Sequence, residues 1–271
     1  MIKMQNIERD KEFYEKNWEK RWASTREHIG PIFFHRIRMI QKLIKNSSLN
    51  GKILDVGCGD GSLLIRFQGS KNELYGCDIS EKAVQVAKSK YGDVCYFTVG
   101  DITDHSSLPE GKFDVIICSE ILEHIENDEL AIKNLYNKLE TGGYLLVTAP
   151  LVKKYWSVHD EISGHVRRYE KDELENKITK NGFKICKSIS WGYPLLYLYY
   201  KIVYPKSGSK RRAQNIDKRS KIKRIISIMF KLAFYFDDFF INSQKCRNIF
   251  FCLHKRDRTL KCPETTLREH R

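Results

Sequence analysis

Apolar positions along this chain fall into short strand-like runs separated by segments of helical period. Ile53 to Val56 is such a run, and Ser62 to Phe67 leaves the glycines that follow it as an amphipathic helix start. Glu73–Asp78 reads as a second strand, Ser80 caps a helix to about Lys90, and Val94–Val99 is a third strand. Phe113–Cys118 is continuously apolar, as in strands buried on both faces. Asp128–Leu139 has helical spacing with Gly142-Gly143 as its stop, and Tyr144–Thr148 is a fifth strand. Glu170–Asn181 is a helix ending at Gly182; Phe183–Trp191 alternates like a half-exposed strand, and Arg247–His254 is the last strand. Upstream, Pro31 opens a helix, Phe33 to Lys45, expected to cap the sheet edge. Such alternation predicts an α/β fold with right-handed crossovers and ligands at the carboxyl ends of parallel strands.

Some 55 residues separate the last two strands, more than a compact domain gives to a plain connection, so 192–246 is expected to be a helical insertion. The expected organisation is an N-terminal helical cap at 1–45, a core domain at 46–191 plus 247–256, that insertion, and a flexible tail at 257–271. Within the insertion Ile222, Ile225, Ile226, Met229, Leu232, Ala233, Phe236 and Phe240 share one side of a helical wheel, and Lys223, Arg224, Ser227 and Lys231 the other. Lys206 to Arg224 carries nine basic residues and one acid. Lys201, Lys231, Asp237 and Asp238 interrupt the apolar runs, so neither spans a bilayer. Two readings stay open for 206–241: a helix lying on an anionic membrane surface, or a lid packed on the protein's own domain.

Charge sharpens this picture. The net charge is +14, but residues 205–271 hold 18 Lys and Arg against 6 acids, leaving 30 against 28 for the rest. Eight cysteines show no CxxC pair and no zinc spacing, which points to thiols in a reducing compartment. The polar start MIKMQNIERDKEFYEKNWEKRW lacks a signal-peptide core. A cytoplasmic protein, peripheral on the inner face of a membrane if 206–241 docks there, is the expectation.

The stretch ILDVGCGDGS places Gly57, Gly59 and Gly61 one residue short of the dinucleotide fingerprint. Asp55 just before them would repel a pyrophosphate and suit an ammonium or sulfonium group. Bare backbone there favours a cationic, phosphate-free adenosine cofactor over NAD.

With GCDIS at 76–80, GDIT at 100–103, FDVIICSEILEHI at 113–125 and LETGGYLLVTAP at 139–150, the chain resembles the class I S-adenosylmethionine-dependent methyltransferases, in the small-molecule branch that includes ubiquinone-pathway O-methyltransferases. That resemblance implies a Rossmann-like seven-stranded sheet of order 3-2-1-4-5-7-6, strand 7 antiparallel and the insertion between strands 6 and 7. It also implies S-adenosyl-L-methionine as cofactor, held by Asp55, Gly57, Cys58, Gly59, Gly61, Asp78, Ile79, Asp101, Ile102, Ser119 and Glu120. Asp78 would accept from the ribose hydroxyls and Asp101 from the adenine amine, while capping a short helix is the plainer role for Asp101.

A hydroxyl acceptor needs its proton removed, and His159, His165 and His124 compete as base. His159 is taken as base with His165 as its orienter. Glu120, Glu123 and His124 would share a face able to orient a base or hold a divalent ion; no metal is expected. The run GHVRRY, similar to a motif in methyltransferases of glycan and glycolipid gene clusters, offers Arg167, Arg168 and Tyr169 as an acceptor clamp for carboxylate or phosphate, or else a solvated pair facing Glu170 or Asp172. Phe13, Tyr14, Trp18 and Trp22 lie at helical spacing and would cover the cofactor or simply pack.

The expected activity is methyl transfer to a hydroxyl, or a carboxylate or amine, of a small or lipid-linked acceptor. An RNA-modifying enzyme using the basic insertion is disfavoured, because Cys118-Ser119-Glu120-Ile121 stands where base methyltransferases carry an acidic or amide residue, two prolines and an aromatic ring. A non-catalytic binding protein is disfavoured because Asp55, Asp78 and Asp101 are all present.

Overall fold

A computed structural model describes residues 11–16, 18, 30–44, 50–203 and 221–255. Seven strands form one sheet: β1 (Gly51–Val56), β2 (Asn72–Asp78), β3 (Cys95–Val99), β4 (Phe113–Ser119), β5 (Leu139–Pro150), β6 (Phe183–Trp191) and β7 (Asn248–Lys255). Their order is β3-β2-β1-β4-β5-β7-β6, as expected, with β7 antiparallel to both β5 and β6. Helices around it among the described residues include α1 (Pro31–Ile44), α2 (Glu81–Tyr91), α3 (Asp128–Lys138), α4 (Val158–Ser163), α5 (Lys171–Lys180), α6 (Leu195–Val203) and α7 (Lys221–Ala233). Because β7 runs against β5, its first residues lie at the carboxyl end of β5, on the edge of the sheet where the loops after β1, β2 and β4 emerge.

Alternate strand residues supply two cores. Leu54, Ile116, Leu145 and Phe251 pack with Leu135 of α3 and Leu174 of α5 on one face. Ile53, Val115, Ile117, Leu146 and Phe250 pack with Met39 of α1 and Val84 of α2 on the other. Ser80 caps α2 through Ala83 N at 3.1 Å, and Asn127 caps α3 through Leu130 N at 3.1 Å.

Three local expectations change. Helix α3 ends at Lys138, not at Gly142-Gly143; both glycines lie inside β5, where the pairing with β4 shifts register and Gly142 takes φ 83°. Ser62–Phe67 forms only a single 3₁₀ turn, Leu64–Phe67, before β2 begins. Helix α1 lies on a sheet face rather than an edge, since its apolar positions match the second core. Cys58, Cys77, Cys95, Cys118, Cys246 and Cys252 are free and buried, in line with the thiols expected there.

The insertion is fastened to this frame by polar contacts. Asp237, fully buried in the 3₁₀ segment Phe234–Phe240, accepts from Leu195 N at 2.7 Å and Leu196 N at 3.0 Å at the start of α6. Asp238 accepts from Arg38 Nη2 at 2.7 Å and from Trp191 Nε1 at 3.0 Å. The two acids that break the apolar pattern are therefore its fastenings. His35 stacks on Trp191 with centroids 5.0 Å apart; its Nε2 meets the Lys231 carbonyl at 2.8 Å, and its Nδ1 accepts from Arg38 at 3.0 Å.

Burial lowers the His35 imidazole from 6.5 to about 4. Below pH 6.5 the unfolded chain therefore takes up a proton that the folded state refuses, and stability falls with falling pH until about pH 4. Between pH 7 and pH 5 this group should cost about 2 kcal/mol. Urea denaturation of wild type and His35→Gln should show a shallower acid slope in the variant; parallel slopes would contradict the assignment.

Candidate active site

The turn after β1 is built for close approach. Gly57, Gly59 and Gly61 have φ of 74°, 54° and 76°, so each takes a conformation that side chains disfavour. Gly57 N and Cys58 N donate to the Cys77 carbonyl at 2.7 and 3.1 Å, which ties the loop to the end of β2. Gly59 N donates to Asp78 Oδ2 at 2.9 Å, and Asp78 Oδ1 accepts from Ser80 N at 2.9 Å. Asp55 is buried, and its Oδ2 has no hydrogen-bond partner among the described residues. Burial and then the Asp78 charge push the Asp55 carboxyl well above the usual range. A buried acid with an unmatched oxygen beside a glycine cradle fits a cationic ligand.

The other expected cofactor residues divide. Asp101 Oδ1 accepts from Thr103 N at 2.8 Å and Thr103 Oγ1 at 2.9 Å, the local capping role. Ile79 is half-buried beside Asp78, whereas the Ile102 side chain lies in the core with Leu108, so only its backbone can border the site. Cys58 is likewise packed in the second core. Ser119 shares a hydrogen bond with Thr148 Oγ1 at 2.9 Å, and Thr148 Oγ1 donates to Glu120 Oε1 at 2.9 Å. Glu120 holds φ 57° and pairs through Oε2 with Arg36 at 3.1 Å.

The N-terminal aromatics cover this edge. Trp18 lies over Gly59, where an added Cβ would sit 3.1 Å from its ring, and Tyr14 meets His124 edge to face at 5.7 Å. Phe13 packs on Gly164. Trp22 lies outside the described residues.

The three histidines converge. The ring centroids of His124 and His165 are 4.7 Å apart and those of His159 and His165 6.0 Å. His165 Nδ1 is 2.8 Å from Asp160 Oδ1, and His124 Nδ1 is 3.2 Å from the Gly164 carbonyl. The partner that orients His165 is thus Asp160; burial raises the Asp160 carboxyl, but His165 and Arg168 outweigh it and hold it well below its ordinary value. Burial lowers both His124 and His159 to about 3. That makes His159 a weak base, and the expected order of base and orienter fits this geometry poorly.

Glu123 is fully buried, and neither carboxylate oxygen has a partner among the described residues; burial and then Glu120 push it well above the usual range. Glu123, His124 and His165 each bring a potential ligand atom within 4.8 Å of the others, so these are the described residues that could hold a divalent metal.

In the GHVRRY run, the expected acceptor clamp of Arg167, Arg168 and Tyr169 is engaged within the fold. Arg168 is buried, with Nε on Asp160 Oδ1 at 2.7 Å and Nη1 on the Leu151 carbonyl at 3.0 Å. Arg167 reaches Asp128 Oδ2 at 3.0 Å and the Glu126 carbonyl at 2.9 Å. Tyr169, fully buried, donates to the Leu122 carbonyl at 3.0 Å and Asp128 Oδ2 at 2.8 Å. The alternative of a pair facing Glu170 or Asp172 fails, because the acids are Asp128 and Asp160, distant along the chain or across a turn. Sequence reasoning missed Arg36 and Asp160; only Asp160 carried a signal, as an acid beside His159.

The profile of the methyltransferase domain family matches residues 47–215. The chain belongs to that family. As a methyltransferase-domain protein it is 32% identical over 157 residues to a ubiquinone biosynthesis O-methyltransferase of Glaesserella parasuis, covering 54% of this chain and 65% of that one. It is 28% identical over 177 residues to a malonyl-[acyl-carrier protein] O-methyltransferase of Ilyobacter polytropus, covering 61% and 65%. The chain thus spans slightly less than two thirds of these relatives. Its fold is that of magnesium protoporphyrin IX methyltransferase from Synechocystis, solved with bound SAH, at TM-score 0.58 and 18% identity over 91% of this chain and 98% of that one.

If Tyr169 is a brace, Tyr169→Phe should lose about 1–3 kcal/mol in urea denaturation, through loss of the one buried O–H shared by the Leu122 carbonyl and Asp128. A variant of unchanged stability but impaired acceptor binding would restore the clamp.

Proposed function

We propose that this methyltransferase-domain protein transfers a methyl group from S-adenosyl-L-methionine to a hydroxyl of a small or lipid-linked acceptor. The observation that carries the reading is the pairing of the three positive-φ glycines with the unmatched, buried Asp55 carboxylate. Asp55 would receive the cofactor's ammonium group, Asp78 its ribose hydroxyls and the glycine backbone its methionine part; when bound, the cofactor supplies an electrophilic methyl on a sulfonium. Exchanging the Gly59 N–H for a ribose hydroxyl at Asp78 is an even trade of donors.

The chain's own work is positioning, drying and proton removal. Asp160, held ionised, accepts from Nδ1–H of His165 and fixes the tautomer in which Nε2 is free to take the acceptor's proton. Arg168 keeps Asp160 charged, and the aromatic rings of Tyr14 and Trp18 screen the edge from water. His165 with Asp160 is therefore favoured over His159 as base.

A membrane surface is part of the reading because of where the insertion's apolar face points. Ile225, Met229, Leu232, Phe236 and Phe239 are 58, 63, 67, 49 and 83% exposed, while the side toward the domain carries Phe230, Lys231 and buried Phe234. An outward apolar stripe following a strongly basic stretch suits an anionic bilayer. Among the described residues no helix is long and apolar enough to cross a membrane.

Calorimetry should detect S-adenosylhomocysteine, and Asp55→Asn should weaken it at least about tenfold, the effect of losing one charged partner. Binding of NADH in place of S-adenosylhomocysteine would refute the cofactor. Vesicles containing phosphatidylserine should sediment the protein, and Met229→Glu with Leu232→Glu should release it. Equal recovery on phosphatidylcholine alone, or retention on RNA instead, would refute the membrane reading.

A further inference from the structure

Among the described arginines at the acceptor side of the carboxyl edge, Arg168 pairs with Asp160, Arg167 with Asp128 and Arg36 with Glu120. A fourth is Arg247, immediately before β7. It is 3% exposed, and its Nε and Nη2 have no hydrogen-bond partner among the described residues. Its backbone is fixed, since the Arg247 carbonyl accepts from Leu151 N at the end of β5. Its guanidinium carbon lies over the rings of Tyr200, 4.3 Å from the centroid, and Tyr155, at 5.3 Å. Tyr200 in turn meets the ring of His159 edge to face at 5.0 Å. Ring faces offset part of the cost of burying a guanidinium, but they accept none of its in-plane N–H bonds.

We propose that Arg247 binds an oxyanion, a carboxylate or phosphate, carried by the methyl acceptor. This rests on the reading of the protein as a methyltransferase and narrows its acceptor to an acidic one. The place is consistent with the role. The antiparallel course of β7 puts Arg247 at the carboxyl end of β5, on the same edge as Glu120 and the histidines, with β4 and β5 between its strand and β1, whose glycine loop holds the cofactor side. A planar fork with two unused donors, walled by two tyrosines, matches a bidentate oxyanion attached to an apolar or aromatic body. An acceptor of this kind supplies what the interior lacks, an anion for its unmatched cation. The GHVRRY arginines already have anions of their own, Asp160 for Arg168 and Asp128 for Arg167.

The test uses the full chain saturated with S-adenosylhomocysteine and three probes that share a phenyl ring: benzoate, phenyl phosphate and neutral benzamide. Calorimetry should show at least one anion binding at least tenfold more tightly than benzamide, and the better of the two identifies carboxylate or phosphate as the group. Arg247→Met should erase that preference with cofactor uptake retained, and should raise the melting temperature of the ligand-free protein by relieving a buried, unmatched charge. Arg247→Lys, which keeps the charge but not the fork, should retain part of the preference. The proposal is overturned if wild type binds neither anion better than benzamide, or if Arg247→Met keeps the preference. Should wild type fail to take up S-adenosylhomocysteine at all, the methyltransferase reading itself fails, and that result is read before any probe is added.

Discussion

A buried carboxylate, Asp160, organises the acceptor side of this protein. It accepts from Arg168 Nε and faces His165 Nδ1 through one oxygen, and through the other it accepts the N–H and hydroxyl of Ser157. Such a charge is tolerable in an interior only when its lone pairs are filled, and here four donors fill them. The consequence reaches both ways along the chain. Upstream, Ser157 and Asp160 form the capping box that starts α4; downstream, the loop is pulled back so that Val166 N and Arg167 N donate to the Glu123 carbonyl. Asp128 does the parallel task for Tyr169, Arg167 and Lys177. Together the two acids dock the loop after β5 against the segment after β4 and bring His124 beside His165.

The sheet was legible because its strands alternate or run apolar, and because glycine and aspartate punctuate their carboxyl ends in a fixed order. Asp55, Gly57, Gly59, Gly61 and Asp78 could be placed on one edge from their positions in that order alone. The stop of α3 was not legible: a Gly-Gly pair is as good a bulge inside a strand as it is a helix end, and only the pairing of Phe113 with Leu139 decides between them. The partners of the arginine pair were not legible for a related reason. Pairing is a property of space, and Asp128 and Asp160 are not the neighbours that sequence distance suggests.

The insertion shows the same limit in its apolar pattern. A helical wheel separates an apolar side from a basic one but says nothing about which side meets the domain. Here the inward contacts of α7 and the 3₁₀ segment come from Phe230, Lys231, Phe234 and Asp237, and the wheel's apolar side looks out. The anchors are polar ones, the Arg38–Asp238 pair and the His35–Lys231 hydrogen bond, whose partners lie about two hundred residues apart.

That arrangement couples the outer surface to the site. Helix α6 begins at the buried cap given by Asp237 and carries Tyr200 inward against Arg247 and His159, while α7, held to the same 3₁₀ segment, presents its apolar residues outward. An acceptor with an acidic head and an apolar body would meet these features in a consistent order: apolar stripe outside, tyrosine walls at the seam, guanidinium within. Its anion would complete the charge pairing that Arg168 and Arg36 already have, and by screening Arg247 it would remove one of the cations that help keep His159 neutral.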